Sequence, residues 1–211
     1  MPILKKTSNV NIVTQCEDAK SNLLESIEKN VAEGLEHTVE LMGRKVYKIL
    51  KKNQKKTDYK FTESSQNSYT PGITETCKLA SKYVTDQWKK ACSCLDGINL
   101  SAFLEQFGTI FAERLLRHLC KFTVSTGLGG SKLIQDLNQY KSVAQKFSNP
   151  SINKTFTELC KLANIHLVDK SSVMSLINDL KLTQFTKLEI KKYIKTHQHY
   201  INQWDDIVDC L

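Results

Sequence analysis

Between Leu24 and Ile49 a row of apolar residues recurs at steps of three and four: Leu24, Ile27, Val31, Leu35, Val39, Met42, Val46 and Ile49. A strand would need steps of two, so this stripe admits one reading, a single face of a long helix. Thr14-Gln-Cys-Glu17 has capping-box spacing and predicts the start. Residues 17–52 would then extend roughly 50 Å at 1.5 Å per residue. An apolar seam that long requires a partner helix. Gly34 and Gly43 interrupt it, each at a cost of about 1 kcal/mol against alanine, and close approach of a neighbouring helix would compensate.

The remaining chain carries the same period. Residues 53–73 are polar, lack a period and contain Pro71-Gly72, so they read as a mobile loop. A second helix is predicted over 74–95, with Cys77, Ala80, Val84, Trp88 and Ala91 inward. A turn at 96–99 leads to a third over 100–123, carrying Phe103, Phe107, Ile110, Phe111, Leu115, Leu119 and Phe122. Ser131 can cap a helix with Leu133, Leu137, Tyr140, Ala144 and Phe147. Asn149-Pro150 supplies a cap and a first-turn proline for Ile152, Phe156, Leu159 and Ala163. A short helix is expected near 171–180, and Thr186-Lys-Leu-Glu189 forms a second capping box. With 8 glycines and 3 prolines in 211 residues, and no clean alternation, the fold class is all-α. The domain reading is a flexible tail over 1–14 and one helical-bundle region over 15–211.

Catalytic and metal chemistry find no foothold. The stretch Ser125-Thr-Gly-Leu-Gly-Gly-Ser-Lys132 is glycine-rich, but Ser131 precedes Lys132 and Leu133 follows it. A phosphate loop needs glycine before that lysine, a hydroxyl after it and a preceding strand. Helix punctuation is the better reading, with glycine at positive φ. Cys92 and Cys94, like His118 and Cys120, stand two apart on helices and point to different sides, so they read as small core residues. His197 and His199 read as solvated surface, and His37 and His166 have no partner nearby in sequence. Asp205 and Asp206 sit beside Trp204 in an unconstrained tail. The expectation is a non-enzyme without cofactor or metal.

The net charge of +8 favours anionic partners. Arg44, Lys45, Lys48, Lys51, Lys52, Lys55, Lys56 and Lys60 crowd into seventeen positions, opposed only by Asp58. Lys45, Lys48, Lys51, Lys52, Lys55 and Lys56 are therefore the candidate contact for anionic lipid or an acidic partner. The competing reading is a solvated helix end whose lysines offset the dipole. Nucleic acid is not expected, because the segment lacks interleaved aromatics and any recognised binding signature. Seven cysteines, an odd number, with no secretory leader and no membrane span in the sequence, lead to an expected cytosolic setting.

The blocks "ILKKNQKKTDYKF", "CLDGINL", "ERLLRHL", "GGSKLIQDLNQYK", "KFSNPSINKTFTELCKLANIHLV" and "IKKYIKTHQHY", in that order, resemble the C-terminal portion of the exocyst complex component 5 family. The resemblance covers about residues 28–200. It implies elongated, stacked helical bundles of the tethering-complex type, no catalysis, and a role in tethering secretory vesicles to the plasma membrane. Implied partners are other exocyst subunits and a small GTPase, at plasma-membrane sites of exocytosis. Members of that family are several times longer and carry an N-terminal coiled-coil-forming region. By comparison this chain reads as a fragment, a truncated product or a short relative. The alternative is a peripheral membrane-binding module led by the lysine cluster.

Overall fold

The computed structural model describes residues 3–62, 71–168, 172, 175–176, 185–200, 204 and 209, with side chains from residue 12 onward. In chain order the helices are α1 (Ile3–Asn53), α2 (Glu75–Cys94), α3 (Gly97–Leu119), α4 (Leu128–Gln145), α5 (Pro150–Ala163) and α6 (Lys187–Ile194), with a 3-10 turn at Asn164–His166. Among the described residues the β content is an isolated parallel bridge between Val124 and His197. The all-α class is what the apolar period predicts. The helix expected near 171–180 falls, but for 172 and 175–176, outside the described residues.

The chain divides into two compact units, Met1–Val39 and Glu40–Leu211. The first is the leading part of α1. It is helical from Ile3, so residues 3–14 of the flexible tail expected over 1–14 are helix, and Thr14 lies inside it. No glycine or proline occurs between Ile3 and Glu33, so nothing arrests propagation toward the N-terminus. Along residues 24–31 the stripe is not buried as expected: Leu24, Ile27 and Val31 are 49%, 50% and 45% exposed, whereas Val39 at the end of the unit is 1% exposed. Gly34 faces open space.

In the second unit the stripe is buried through Met42, Val46 and Leu50. Leu50 takes the place anticipated for Ile49, because a 3.6-residue period drifts against a strict three-four alternation. Here the glycine argument holds. A Cβ on Gly43 would overlap Ile110 of α3, so α1 and α3 approach as only glycine permits. An ion pair flanks the contact, with Arg114 Nη2 at 2.9 Å from Glu40 Oε1 and Arg44 Nε at 3.1 Å from the same oxygen. The bond from Arg44 chiefly holds the Glu40 carboxyl below its ordinary pKa, with Arg114 adding to it.

The core lies among α2, α3, α4 and α5. Phe111 of α3 meets Phe156 of α5 at 5.2 Å and Tyr140 of α4 edge-on at 5.6 Å, both favoured aromatic arrangements. Phe107 stacks on Phe147 at 5.8 Å. Two predicted caps are formed: Asn149 accepts from Ser151 N and Ile152 N, and Thr186 closes a reciprocal box with Glu189. Thr74 caps α2 as well, accepting from Cys77 N. Trp88, expected inward, is half-buried.

A carboxylate ties two separate segments to α4. Asp136 is fully buried. It accepts from Tyr59 Oη at 2.6 Å, Thr74 N at 2.7 Å and Thr74 Oγ1 at 2.6 Å. Burial pushes its pKa up, against the lowering effect of these bonds. Tyr59 therefore belongs to the core at 1% exposure, although residues 53–73 read as a mobile loop. Of that loop, residues 63–70 lie outside the described residues. Replacing Asp136 with Ala leaves three buried donors unpaired. We expect a loss of about 3–5 kcal/mol in urea unfolding, against about 1–2 kcal/mol for Tyr59→Phe.

Candidate functional site

The glycine-rich stretch is occupied by the protein itself. Gly127, at φ 73°, opens α4. The helix thus starts before the Ser131 cap that the sequence predicts, and Ser131 N donates to Gly127 O. Gly129 and Gly130 lie in its first turn. They serve close approach and not a helix stop, since a Cβ on them would strike the carbonyl oxygens of Tyr59 and His166 respectively. Ser125 N donates to Tyr59 O at 2.9 Å, Gly127 N to His166 O at 3.3 Å and Val124 N to Thr196 O at 2.8 Å. Ser125 Oγ accepts from Phe61 N at 3.0 Å. Two of the amides that would cradle a phosphate are satisfied by backbone oxygens, and carbonyls fill the approach.

Cysteines and histidines do not assemble into a site. Among the described residues no group of three metal-ligating side chains converges. Cys92 and Cys94 are exposed, not core, while Cys77 is buried. The inward face of α2 is set by Cys77, Ala80, Val84 and Ala91, and the last turn carries both thiols away from it. Cys210 lies outside the described residues.

His197 is 2% exposed and not solvated surface, as its polar neighbours led one to expect. The chain folds back after α6, and the bridge to Val124 draws this ring inward. It stacks near-parallel on His166 at 5.6 Å, and Trp204 stands edge-on at 4.9 Å. Thr196 Oγ1 lies 3.2 Å from His166 Nε2. Trp204 is core at 1% exposure, while Asp205 and Asp206 lie outside the described residues. Burial, then the neighbouring His197, lowers the His166 pKa to about 3; burial, then His199, lowers that of His197 to about 4. Burial chiefly lowers His118 to about 4.

The features that face outward are helix surfaces. Lys45, Lys48, Lys51, Lys52, Lys55 and Lys56 are all exposed. Lys45, Lys48 and Lys52 share one face of α1, Lys51 and Lys52 lie in its last turn, and Lys55 and Lys56 follow its end. Beside them Lys121 Nζ sits 4.8 Å above the Tyr47 ring centroid and bonds its hydroxyl. Upstream, Val13, Leu23, Leu24, Ile27 and Val31 leave an apolar face between 45% and 63% exposed. Residues 12–40 carry seven acids against two lysines, a net of −5, whereas residues 44–60 carry eight bases against one acid. The sign of the charge reverses along one helix.

A second basic surface escapes a reading of local charge density. Lys78, Lys82 and Lys89 of α2 and Lys146 beyond α4 line a groove of about 440 Å³ floored in part by Ile73 and Val143. Steps of four and seven along α2 held part of the signal, but Lys146 reaches the groove only through the packing of α2 on α4.

The profile described as exocyst complex component Sec10-like, alpha-helical bundle, matches residues 1–200. The chain is 25% identical over 195 residues to exocyst complex component 5 of Dictyostelium discoideum, covering 92% of this chain and 19% of that protein. It is 28% identical over 186 residues to exocyst complex component SEC10a of Arabidopsis thaliana, covering 88% and 22%. With human exocyst complex component 5 it shares 24% over 200 residues, covering 95% and 27%. The chain thus spans between 19% and 27% of the length of these relatives.

Acid should loosen the histidine cluster. Because the folded pKa values lie below the unfolded value of about 6.5, the neutral rings stabilise the fold fully above that pH. This contribution is lost as pH falls through about 4 and about 3. Across that window each histidine removes up to about 1.4 kcal/mol per pH unit. The urea midpoint should fall steeply from pH 6.5 downward, and His166→Gln should flatten the slope whatever it does to stability at neutral pH.

Proposed function

The chain belongs to the exocyst complex component Sec10-like family, and on that premise we propose that it is a non-catalytic helical-bundle element in the tethering of secretory vesicles to the plasma membrane. Its work is protein–protein contact. Buried seams fix the second unit, and exposed helix faces dock other exocyst subunits, with a vesicle-linked small GTPase as a further candidate partner. The setting is cytoplasmic, peripheral at plasma-membrane sites of exocytosis. Among the described residues no helix is long and apolar enough to cross a membrane.

The observation that carries this reading is the open apolar face of α1. Leu24, Ile27 and Val31 keep three-four spacing, yet each is about half exposed. Leaving a row of that kind in water forfeits the burial free energy that another helix would supply, roughly 25 cal/mol per Å² covered. Residues so placed are what a helix-pairing surface needs. The triple substitution of Leu24, Ile27 and Val31 by Gln should leave the thermal unfolding midpoint unchanged. Recovery of exocyst subunits with the tagged chain, measured by quantitative mass spectrometry, should drop at least about tenfold, as for loss of an interface centre. Undiminished recovery of those subunits would refute the assignment.

The six lysines at 45–56 serve, on this reading, an acidic face of a neighbouring subunit. Changing Lys48, Lys51, Lys52, Lys55 and Lys56 together to Gln should weaken that recovery most at low salt, where exposed charges act furthest. If instead the unmodified chain sediments with phosphatidylserine vesicles and the variant does not, these lysines contact the membrane.

A further inference from the structure

We propose that the groove between α2 and α4 is a docking site for an acidic, partly apolar segment of a partner protein. It is distinct from the lysines of α1 and does not depend on them. Four ammonium groups face the groove, from Lys78, Lys82, Lys89 and Lys146, and its lining contains a single carboxylate, Asp86. Lys78 is paired with Glu75 at 3.4 Å. Among the described residues Lys82, Lys89 and Lys146 join no ion pair; Lys146 Nζ lies 3.5 Å from Thr85 Oγ1 and 5.9 Å from the Trp88 ring centroid, and all three lysines are exposed. Uncompensated like charge gathered in a concavity concentrates its field there and draws in anions.

The shape selects the kind of anion. Ile73 and Val143 form an apolar floor, and Ser81, Thr85 and Ser142 add hydroxyls between the lysines. From Lys78 to Lys89 the wall of α2 runs about 16 Å at 1.5 Å per residue. That length matches about five extended residues or three helical turns. A segment with carboxylates at its edges and one or two apolar side chains inward fills both parts of the lining. A bilayer surface is too broad to seat on the floor. A nucleic-acid strand would want aromatic platforms, and none lines this groove.

The probe is a fluorescein-labelled twelve-residue peptide of Glu-Glu-Leu repeats, titrated with the whole chain and followed by anisotropy. Binding should weaken as salt rises. The variant Lys82→Gln, Lys89→Gln, Lys146→Gln should lose affinity at least about tenfold, as expected for three screened charges acting together. Its circular-dichroism melt should match the parent, since all three side chains are exposed. A control variant, Lys154→Gln, Lys161→Gln, Lys192→Gln, removes equal charge elsewhere and should keep the parent affinity. Equal loss in both variants, or none in either, overturns the proposal. So does binding of phosphoinositide-containing vesicles that requires Lys82, Lys89 and Lys146 while the peptide fails to bind.

Discussion

A buried carboxylate governs how this chain closes on itself. Asp136 takes three hydrogen bonds from donors that lie 62 and 77 positions away in sequence. Burying its charge is costly, and only the near-complete set of donors offsets that. The consequence is geometric. The turn after α1, the cap of α2 and the first half of α4 can coexist in one arrangement, because any other leaves the carboxylate unsatisfied. Thr74 has two roles at once: its side chain caps α2 by accepting from Cys77 N, and its hydroxyl donates to Asp136.

The glycine-rich turn shows the same economy. Gly129 and Gly130 let two carbonyls approach α4 so closely that no side chain would fit. Tyr59 touches this turn through its backbone and Asp136 through its hydroxyl. Segments remote in sequence therefore meet at two adjoining places on α4. Nothing in the arrangement favours chemistry, since the polar groups there are spent on one another.

Helices and caps were legible in the sequence because they are local. Asn149-Pro150 and Thr186-Glu189 announce their helices within four residues, and both caps form as predicted. The stripe of α1 was legible as a helix but not as half-exposed, because periodicity records that a face is apolar without recording what lies opposite. Tyr59 and His197 were misplaced for a related reason. Each sits among polar neighbours in sequence, and each is buried by a segment more than sixty residues away. The basic run at 44–60 could be read directly, whereas the α2–α4 groove could not, since one of its lysines enters only through tertiary packing. The glycines of α4 hid between these cases: a need for glycine was evident, but close packing and helix termination leave the same mark in a sequence.

The reversal of charge along α1 has a consequence for how strangers approach. At physiological ionic strength electrostatic influence fades over about 8 Å, so the negative stretch at 12–40 and the positive stretch at 44–60 each act only on what comes close to them. A basic visitor is held by the first and an acidic one by the second, and the greasy contacts are left to decide identity.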